Sequence, residues 1–390
     1  MILFEQAQQI VLENAGRTGT VRVDLSEAAG RVLAEDIISD IDIPPFDKSA
    51  VDGFACRKAD LKKDLRIRET IAAGAVPKHD LAPGDCSKIM TGAMVPPGAD
   101  TVIMVEDTEE YIAGMIRFNG EKTLSNICLR AEDIRTGEKV LGAGTLVRPQ
   151  DVAVLASVGA SSPLVSERPR VSIITTGDEL VPPSTVPAGS AIRNSNSYQL
   201  EAQVRRAGGV AFNLGIVADN QQSIREVLHN ALESSEVVLL TGGVSMGDYD
   251  YVPDIMKSLG IRILFRTIAV QPGKPTVFGT IRNRLVFGLP GNPVSCFVLF
   301  EMLVRPLLLS SMGCSDPIPS YKLRLGADFK RRKTERKAFI PVAVRDGEVY
   351  PTNYHGSAHI HAYSRANGII SMEIGTEELK KGDYTDVRPV

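Results

Sequence analysis

Five carboxylates between residues 178 and 250 stand where ligand chemistry could be done. Asp178 and Glu179 follow the apolar run VSIITT, Asp219 follows VAFNLGIV, and Asp248 and Asp250 follow EVVLLT. If these runs are successive strands of one parallel sheet, the loops after them gather along the edge where such sheets bind ligands. Helix capping, to which Asp250 is suited, accounts for two of the five at most. Gly242 and Gly243 close the run Val237 to Leu240 in a turn that passes near a ligand. The run Leu285 to Leu289 ends in Pro290-Gly291-Asn292-Pro293. Asn292 suits an N-cap and Pro293 a first helical position, so the N–H groups of Val294 and Ser295 should face an anion. Between the two turns, Gln271-Pro272-Gly273-Lys274-Pro275 is a tight loop with one cation. Carboxylates beside phosphate-binding turns are the usual arrangement for Mg²⁺, in which one or two of them complete a shell begun by ligand oxygens.

Other patterns carry less. Gly243-Val244-Ser245-Met246-Gly247 matches the GxSxG elbow of serine hydrolases, but four residues, Gly247 to Asp250, separate it from the helix that should follow at once. The histidines after it, His355, His359 and His361, all lie in a terminal β-rich segment. His359 and His361 read as two residues on one strand face, and a surface role suits them better than a metal, because no Cys or carboxylate is spaced to complete a shell. Lys330 to Lys333 with Arg336 and Lys337 reads as a solvated hairpin. DKSAVDGFA (47–55) and MTGA (90–93) are polar turns that mean little alone.

The elements that must hold these residues follow from pattern. Residues 1–45 give a helix and a strand-turn-helix stretch, and 133–166 return to that style, with Gly144 to Val147 strand-like and a helix from Pro149 to Gly159. Residues 46–132 carry short β runs between Gly and Pro, a β-rich insertion between the two flanks. From 167 to 315 strands alternate with helices, including one from Asn196 to Gly208 and one begun by a Ser223/Glu226 capping box, the signature of an open, mostly parallel α/β sheet. Residues 316–390 offer five short strands, a small β-barrel or sandwich. The chain has 390 residues and a net charge of −3, with no long basic stripe, which disfavours nucleic acid. Five scattered cysteines without a CxxC pair point to reduced thiols in a cytoplasmic setting. The amphipathic N-terminus is no signal peptide. The apolar stretch Val294 to Met312 is broken by Glu301, Arg305 and Pro306, so no membrane partner is expected.

Taken in order, DKSAVDGFA, MTGAMVPPGAD, TTGDEL, LTGGVSMGDYD, QPGKP and LPGNPVS closely resemble the molybdopterin molybdenumtransferases, the family that includes the E domain of gephyrin. The likeness covers essentially the whole chain. It implies an elongated homodimer with a discontinuous domain, an inserted β domain, a central molybdopterin-binding domain and a C-terminal β-barrel. It also implies the reaction: adenylylated molybdopterin and molybdate, with Mg²⁺, give molybdenum cofactor and AMP, in a cleft between the central domain of one subunit and the inserted domain of the other. The resemblance also points to the molybdopterin adenylyltransferase as a partner. The family's functional positions fall on Asp52 and Thr91, and on Glu179, Asp219 and Asp250, the last three as metal ligands. Substrate binding falls on Gly242, Gly243, Ser245, Lys274 and the turn Pro290, Gly291, Asn292 and Pro293, with Arg336 and Ser357 from the barrel. The sequence departs from the pattern at Cys128, Thr267 and Gln271, where some members carry cations. Arg130, Arg266 and Lys274 stand near enough in sequence to compensate. A preference for tungstate, a binding or scaffold role without turnover, and a hydrolase at Ser245 remain as alternatives.

Overall fold

The computed structural model describes residues 1–243, 251–316, 318–352, 354, 356 and 358–390. The fold is α/β and multidomain, with an open, mostly parallel central sheet, a discontinuous N-terminal domain with an inserted β domain, and a C-terminal β-barrel. The chain divides into two compact units, residues 1–35, 144–148 and 164–390 in one, and 36–143 with 149–163 in the other.

The central sheet of the first unit takes β1 (Arg170–Thr176), β2 (Val210–Val217), β3 (Val237–Thr241), β4 (Arg262–Thr267), β5 (Pro275–Ile281) and β6 (Arg284–Leu289) in the order β2-β1-β3-β6-β5-β4. The first four in that order are parallel, and β5 and β4 extend the edge as antiparallel strands. The interior strands are apolar almost throughout because helices cover both faces. Alternate side chains feed two cores: Val237 and Leu239 of β3 point to one, Val238 and Leu240 to the other. Each such buried side chain contributes roughly 1.5–3 kcal/mol. The second face is covered by α2 (Gln221–Ser234), whose Ile224, Leu228, Ala231 and Leu232 form one stripe, and by α3 (Val252–Ser258). The first is covered by α1 (Asn196–Arg206) and by α4 (Pro293–Leu299), which continues through a π-helical segment, Phe300–Val304, into Arg305–Ser311. Buried Glu301 in that segment bonds Gln203 at 2.6 Å and Arg206 at 2.5 Å, tying α1 to the long helix. Pro293–Ser311 is the one stretch among the described residues long and apolar enough to cross a membrane, and 78% of it is buried inside the fold.

The five runs expected after residue 316 close a barrel. β7 (Tyr321–Leu325), β8 (Lys337–Arg345), β9 (Glu348–Pro351), β10 (Gly368–Met372) and β11 (Tyr384–Pro389) follow one another as β8-β9-β7-β11-β10, and β10 pairs back on β8. In the second unit a six-stranded sheet runs in the order Thr101–Met104, Gly53–Cys56, Asp85–Ile89, Leu65–Ile71, Met115–Phe118, Thr108–Ile112.

Several local expectations fail for identifiable reasons. Gly144 to Val147 forms no strand, only a bridge from Leu146 to Val32, and the Leu146 N–H is taken by the Asp316 carboxylate at 2.8 Å. The α2 cap is Asn220, which accepts the Ser223 N–H at 2.9 Å, so Ser223 is already inside the helix. His359 and His361 are not on a strand: Ile360–Arg365 is a 3-10 helix with His359 at its cap position. The basic run is not simply solvated. Arg331 donates to the carbonyls of Thr376, Arg336 and Glu373, and Lys337 pairs with Glu5 and Glu373 at 2.7 and 2.8 Å. The Ser245 and Asp250 assignments fall outside the described residues, as does Ser357. Helix α3 starts at Val252, after Tyr251 at the cap position.

Candidate functional site

The carboxyl ends of β1 and β3, the loop after β6 and the start of α1 enclose a cleft of about 580 Å³. Its size suits a small-molecule ligand of nucleotide dimensions. Of the residues singled out in the sequence, Glu179, Asp219, Gly242, Gly243, Pro290, Gly291, Asn292 and Pro293 line it together. Lys274 and Arg336 do not, although Pro275, next to Lys274, does. Arg336 reaches the carbonyl of Val270 at 3.2 Å, at the start of the Lys274 loop.

Glycine is required at the β3 turn. Gly242 has φ of +100°, and a Cβ there would overlap the carbonyl oxygen of Thr176 at the end of β1. Gly243, at φ +61°, continues the turn, and a Cβ on it would lie 3.9 Å from an Asp219 carboxylate oxygen. The two strand ends therefore approach as backbone against backbone, and the Asp219 side chain comes beside the turn. Glu179 folds back so that its carboxylate would meet a side chain at Gly177, while its carbonyl accepts the Ile192 N–H at 2.7 Å. Asp178 does not line the cleft but accepts the Asp219 N–H at 3.0 Å, which ties the loop after β2 to the loop after β1. Asn292 occupies the N-cap of α4 as expected, but its side chain makes no cap hydrogen bond.

Sequence reasoning missed the polar floor. Asn196, 7% exposed, donates from Nδ2 to the Thr241 hydroxyl at 2.9 Å and to the Gly291 carbonyl at 2.7 Å. Thr241 in turn donates to the Pro290 carbonyl at 3.2 Å. One asparagine thus locks the two ligand turns to the start of α1. Its Oδ1 and the hydroxyls of Thr175 and Thr176 are buried without a hydrogen-bond partner among the described residues, and all three residues line the cleft. Buried polar atoms are normally satisfied, so these are places for ligand or water contacts. The available signal was the string Asn194-Ser195-Asn196 at a helix start, three cap-type residues where one suffices.

Asp52 and Thr91 meet in the second unit. The Thr91 N–H and hydroxyl both donate to Asp52 Oδ1, at 2.7 and 2.9 Å, and hold that exposed carboxyl below its ordinary range. Gly53 behind it must be glycine, since a Cβ would overlap the Ile103 carbonyl oxygen of the neighbouring strand. Of the proposed compensating cations, Arg130 is committed to Asp42 at 2.7 Å and Arg266 lies 4.0 Å from Asp254. Lys274 is exposed and makes no ion pair among the described residues.

Three family descriptions match successive parts of the sequence: MoeA N-terminal region (domain I and II) over residues 2–159, probable molybdopterin binding domain over 172–310, and MoeA C-terminal region (domain IV) over 322–390. The chain belongs to the MoeA family. Proteins named molybdopterin molybdenumtransferase from Staphylococcus epidermidis and Staphylococcus aureus are 33% and 32% identical to it, over 99% of this chain and 95% of each of those proteins. The crystal structure of the molybdopterin biosynthesis MoeA protein from Pyrococcus horikoshii OT3 superposes with a TM-score of 0.85 at 30% identity, covering both chains completely. A MoeA likeness across the full length leaves the hydrolase reading of Ser245 and the scaffold reading without support.

Proposed function

We propose that the 580 Å³ cleft binds adenylylated molybdopterin and that the chain inserts molybdenum from molybdate into it, releasing AMP. The chain works as a transferase in molybdenum cofactor biosynthesis. The observation that carries the cleft assignment is the convergence of two backbone-lined turns and two carboxylates at the carboxyl end of the sheet, tied together by Asn196. Gly242, Gly243 and the Pro290 to Pro293 turn offer close backbone approach to phosphate oxygens. Lys274 supplies positive charge nearby. Arg336, Ser245, Asp250 and Ser357 complete the binding set on this reading.

Glu179 and Asp219 fit Mg²⁺ by donor chemistry. They are hard oxygen donors in one cleft, and too few alone to form a cage, as suits a cation completed by substrate phosphates. They would hold the ion, with Asp250 as a third candidate, and the ion would neutralise charge developing on the linkage that releases AMP. Asp52, kept ionised by Thr91, belongs to the same reaction as a positioned carboxylate. The reading extends to four domains, 1–45 with 133–166, 46–132, 167–315 and 316–390, to a homodimer, to substrate delivery by a molybdopterin adenylyltransferase, and to a cytoplasmic setting.

The test is AMP release from adenylylated molybdopterin by the purified chain, with Mg²⁺ and with molybdate, tungstate or neither. Release that depends on both molybdate and Mg²⁺ is expected. Tight binding with no release under any oxyanion would overturn the transferase assignment, and release with tungstate alone would overturn molybdate.

A further inference from the structure

A second cleft, of about 570 Å³, opens at the opposite end of the same sheet, where β1, β3 and β6 begin. Its walls carry Arg17, Arg168, Arg170, Arg262, Arg282 and Arg284 against two carboxylates, Glu167 and Glu236. On a chain of net charge −3 this is a local reversal of sign. Glu236 is occupied: it pairs with Arg284 at 3.1 Å and accepts the Arg170 N–H at 2.7 Å. The Arg170 guanidinium stacks over the Phe212 ring at 5.0 Å. Arg17, Arg168, Arg262 and Arg282 make no ion pair among the described residues. With Glu236 paired to Arg284, Glu167 is the one remaining carboxylate among the described residues lining the recess against these four guanidiniums, so an excess of positive charge is left that a bound anion would offset. Arg282 adds a separate observation. It begins the two-residue turn between β5 and β6 at φ +51°, a conformation such turns require and Gly or Asn usually supplies, and it is an arginine that stands there at the rim of the recess.

We propose that this cleft is a binding site for a linear oligophosphate, separate from the carboxyl-end cleft by the length of the strands, roughly 15 Å. Guanidinium forks match phosphate oxygens in pairs, and a recess of this volume takes a small molecule rather than an extended polyanion. The phosphate chain could come free or as part of a nucleotide, and the assay separates the two. Calorimetric titration of the full chain at low salt uses inorganic tripolyphosphate, ATP and adenosine. Tripolyphosphate and ATP are expected to bind and adenosine not to. Equal affinities assign the phosphate chain alone, and tighter ATP assigns a nucleotide. The double variant Arg168→Gln/Arg282→Gln, whose changes are exposed, should bind tripolyphosphate at least about tenfold more weakly with an unaltered thermal melt. Lys274→Gln, at the other end, should leave that affinity unchanged. No binding, binding of adenosine as tight as ATP, or loss of binding in Lys274→Gln but not in the double variant would each overturn the proposal.

Discussion

Gly242→Ala separates the demands of backbone conformation from those of close approach. At φ +100° any L residue pays for a left-handed backbone, about 1–2 kcal/mol. Gly189, at φ +61° with nothing within 4 Å of its ideal Cβ, gives a lower bound on that cost in the same unit, since +61° lies inside the left-handed well and +100° beyond it. At Gly242 the added methyl also overlaps the Thr176 carbonyl oxygen, a backbone atom that cannot swing aside as a side chain would. The strand ends must move apart, adding about 1–3 kcal/mol for overpacking. The Gly242→Ala loss should therefore be about 2–5 kcal/mol, against about 1–2 for Gly189→Ala. Each kcal/mol lowers the midpoint by about 2–4 °C in a body of this size, a difference that scanning calorimetry of the full chain resolves. Displacement of the β3 turn relative to Asn196 and Gly291 should also reduce AMP release, since about 1 Å of misplacement can cost on the order of 10²-fold. A Gly242→Ala variant that melts like Gly189→Ala, or that melts lower yet turns over at the full rate, would refute the argument that this turn is glycine for contact and that the contact sets the site.

Glu179→Ala and Asp219→Ala should each slow AMP release by about 10²-fold at saturating Mg²⁺ while substrate still binds, measured by single-turnover release beside equilibrium binding. Asp42 gives a pH signature in the second unit. Its carboxyl is held at about 2, first by the Thr136 N–H and hydroxyl and then by Arg130. A depressed carboxyl stabilises the fold above its unfolded value near 3.8 and loses that contribution as pH falls from there toward about 2. Thr136→Ala should shrink that acid-dependent loss, read from unfolding midpoints between those pH values. Lys274→Gln should raise the molybdate concentration needed for half-maximal release several-fold and Gln271→Lys should lower it several-fold, since a unit charge about 6 Å from a dianion is worth on the order of 1 kcal/mol in water. Arg130→Gln should leave that concentration unchanged.

Much of the central domain was legible because its signals are local and agree with one another. VSIITT, VAFNLGIV and EVVLLT are apolar runs of strand length, each followed by turn or cap residues, and each became the strand expected. The Pro149 helix and the five barrel strands were legible for the same reason. What failed depended on partners remote in sequence. Leu146 gives its N–H to Asp316, 170 positions away, so a strand-like string becomes a single bridge. Ser223 and Glu226 have capping-box spacing, but Asn220 three residues earlier captures the role, and spacing alone cannot rank two competent caps. The antiparallel edge formed by β4 and β5 also escaped notice, because a strand's neighbour is not written in its own residues.

The site shows the same division. Its backbone parts were readable, since Gly242-Gly243 and Pro290-Gly291-Asn292-Pro293 mark turns, but the side chains that join them show only when the turns meet. Asn196 looks like an ordinary helix-start residue until its amide is found holding Thr241 and Gly291, 45 and 95 positions away. The cations show the converse. Arg130, Arg266 and Lys274 are equivalent as charges in a sequence, yet Arg130 is neutralised by Asp42 and Arg266 faces Asp254. Arg130 meets Asp42 through Nε alone, at 2.7 Å, so its remaining N–H groups are free to donate but its charge is already partly offset, whereas exposed Lys274 makes no ion pair among the described residues. On the proposed reading, the charge missing at Cys128, Thr267 and Gln271 is made up least by Arg130 and Arg266, which already face carboxylates, and most by Lys274 with the backbone dipoles of the two turns.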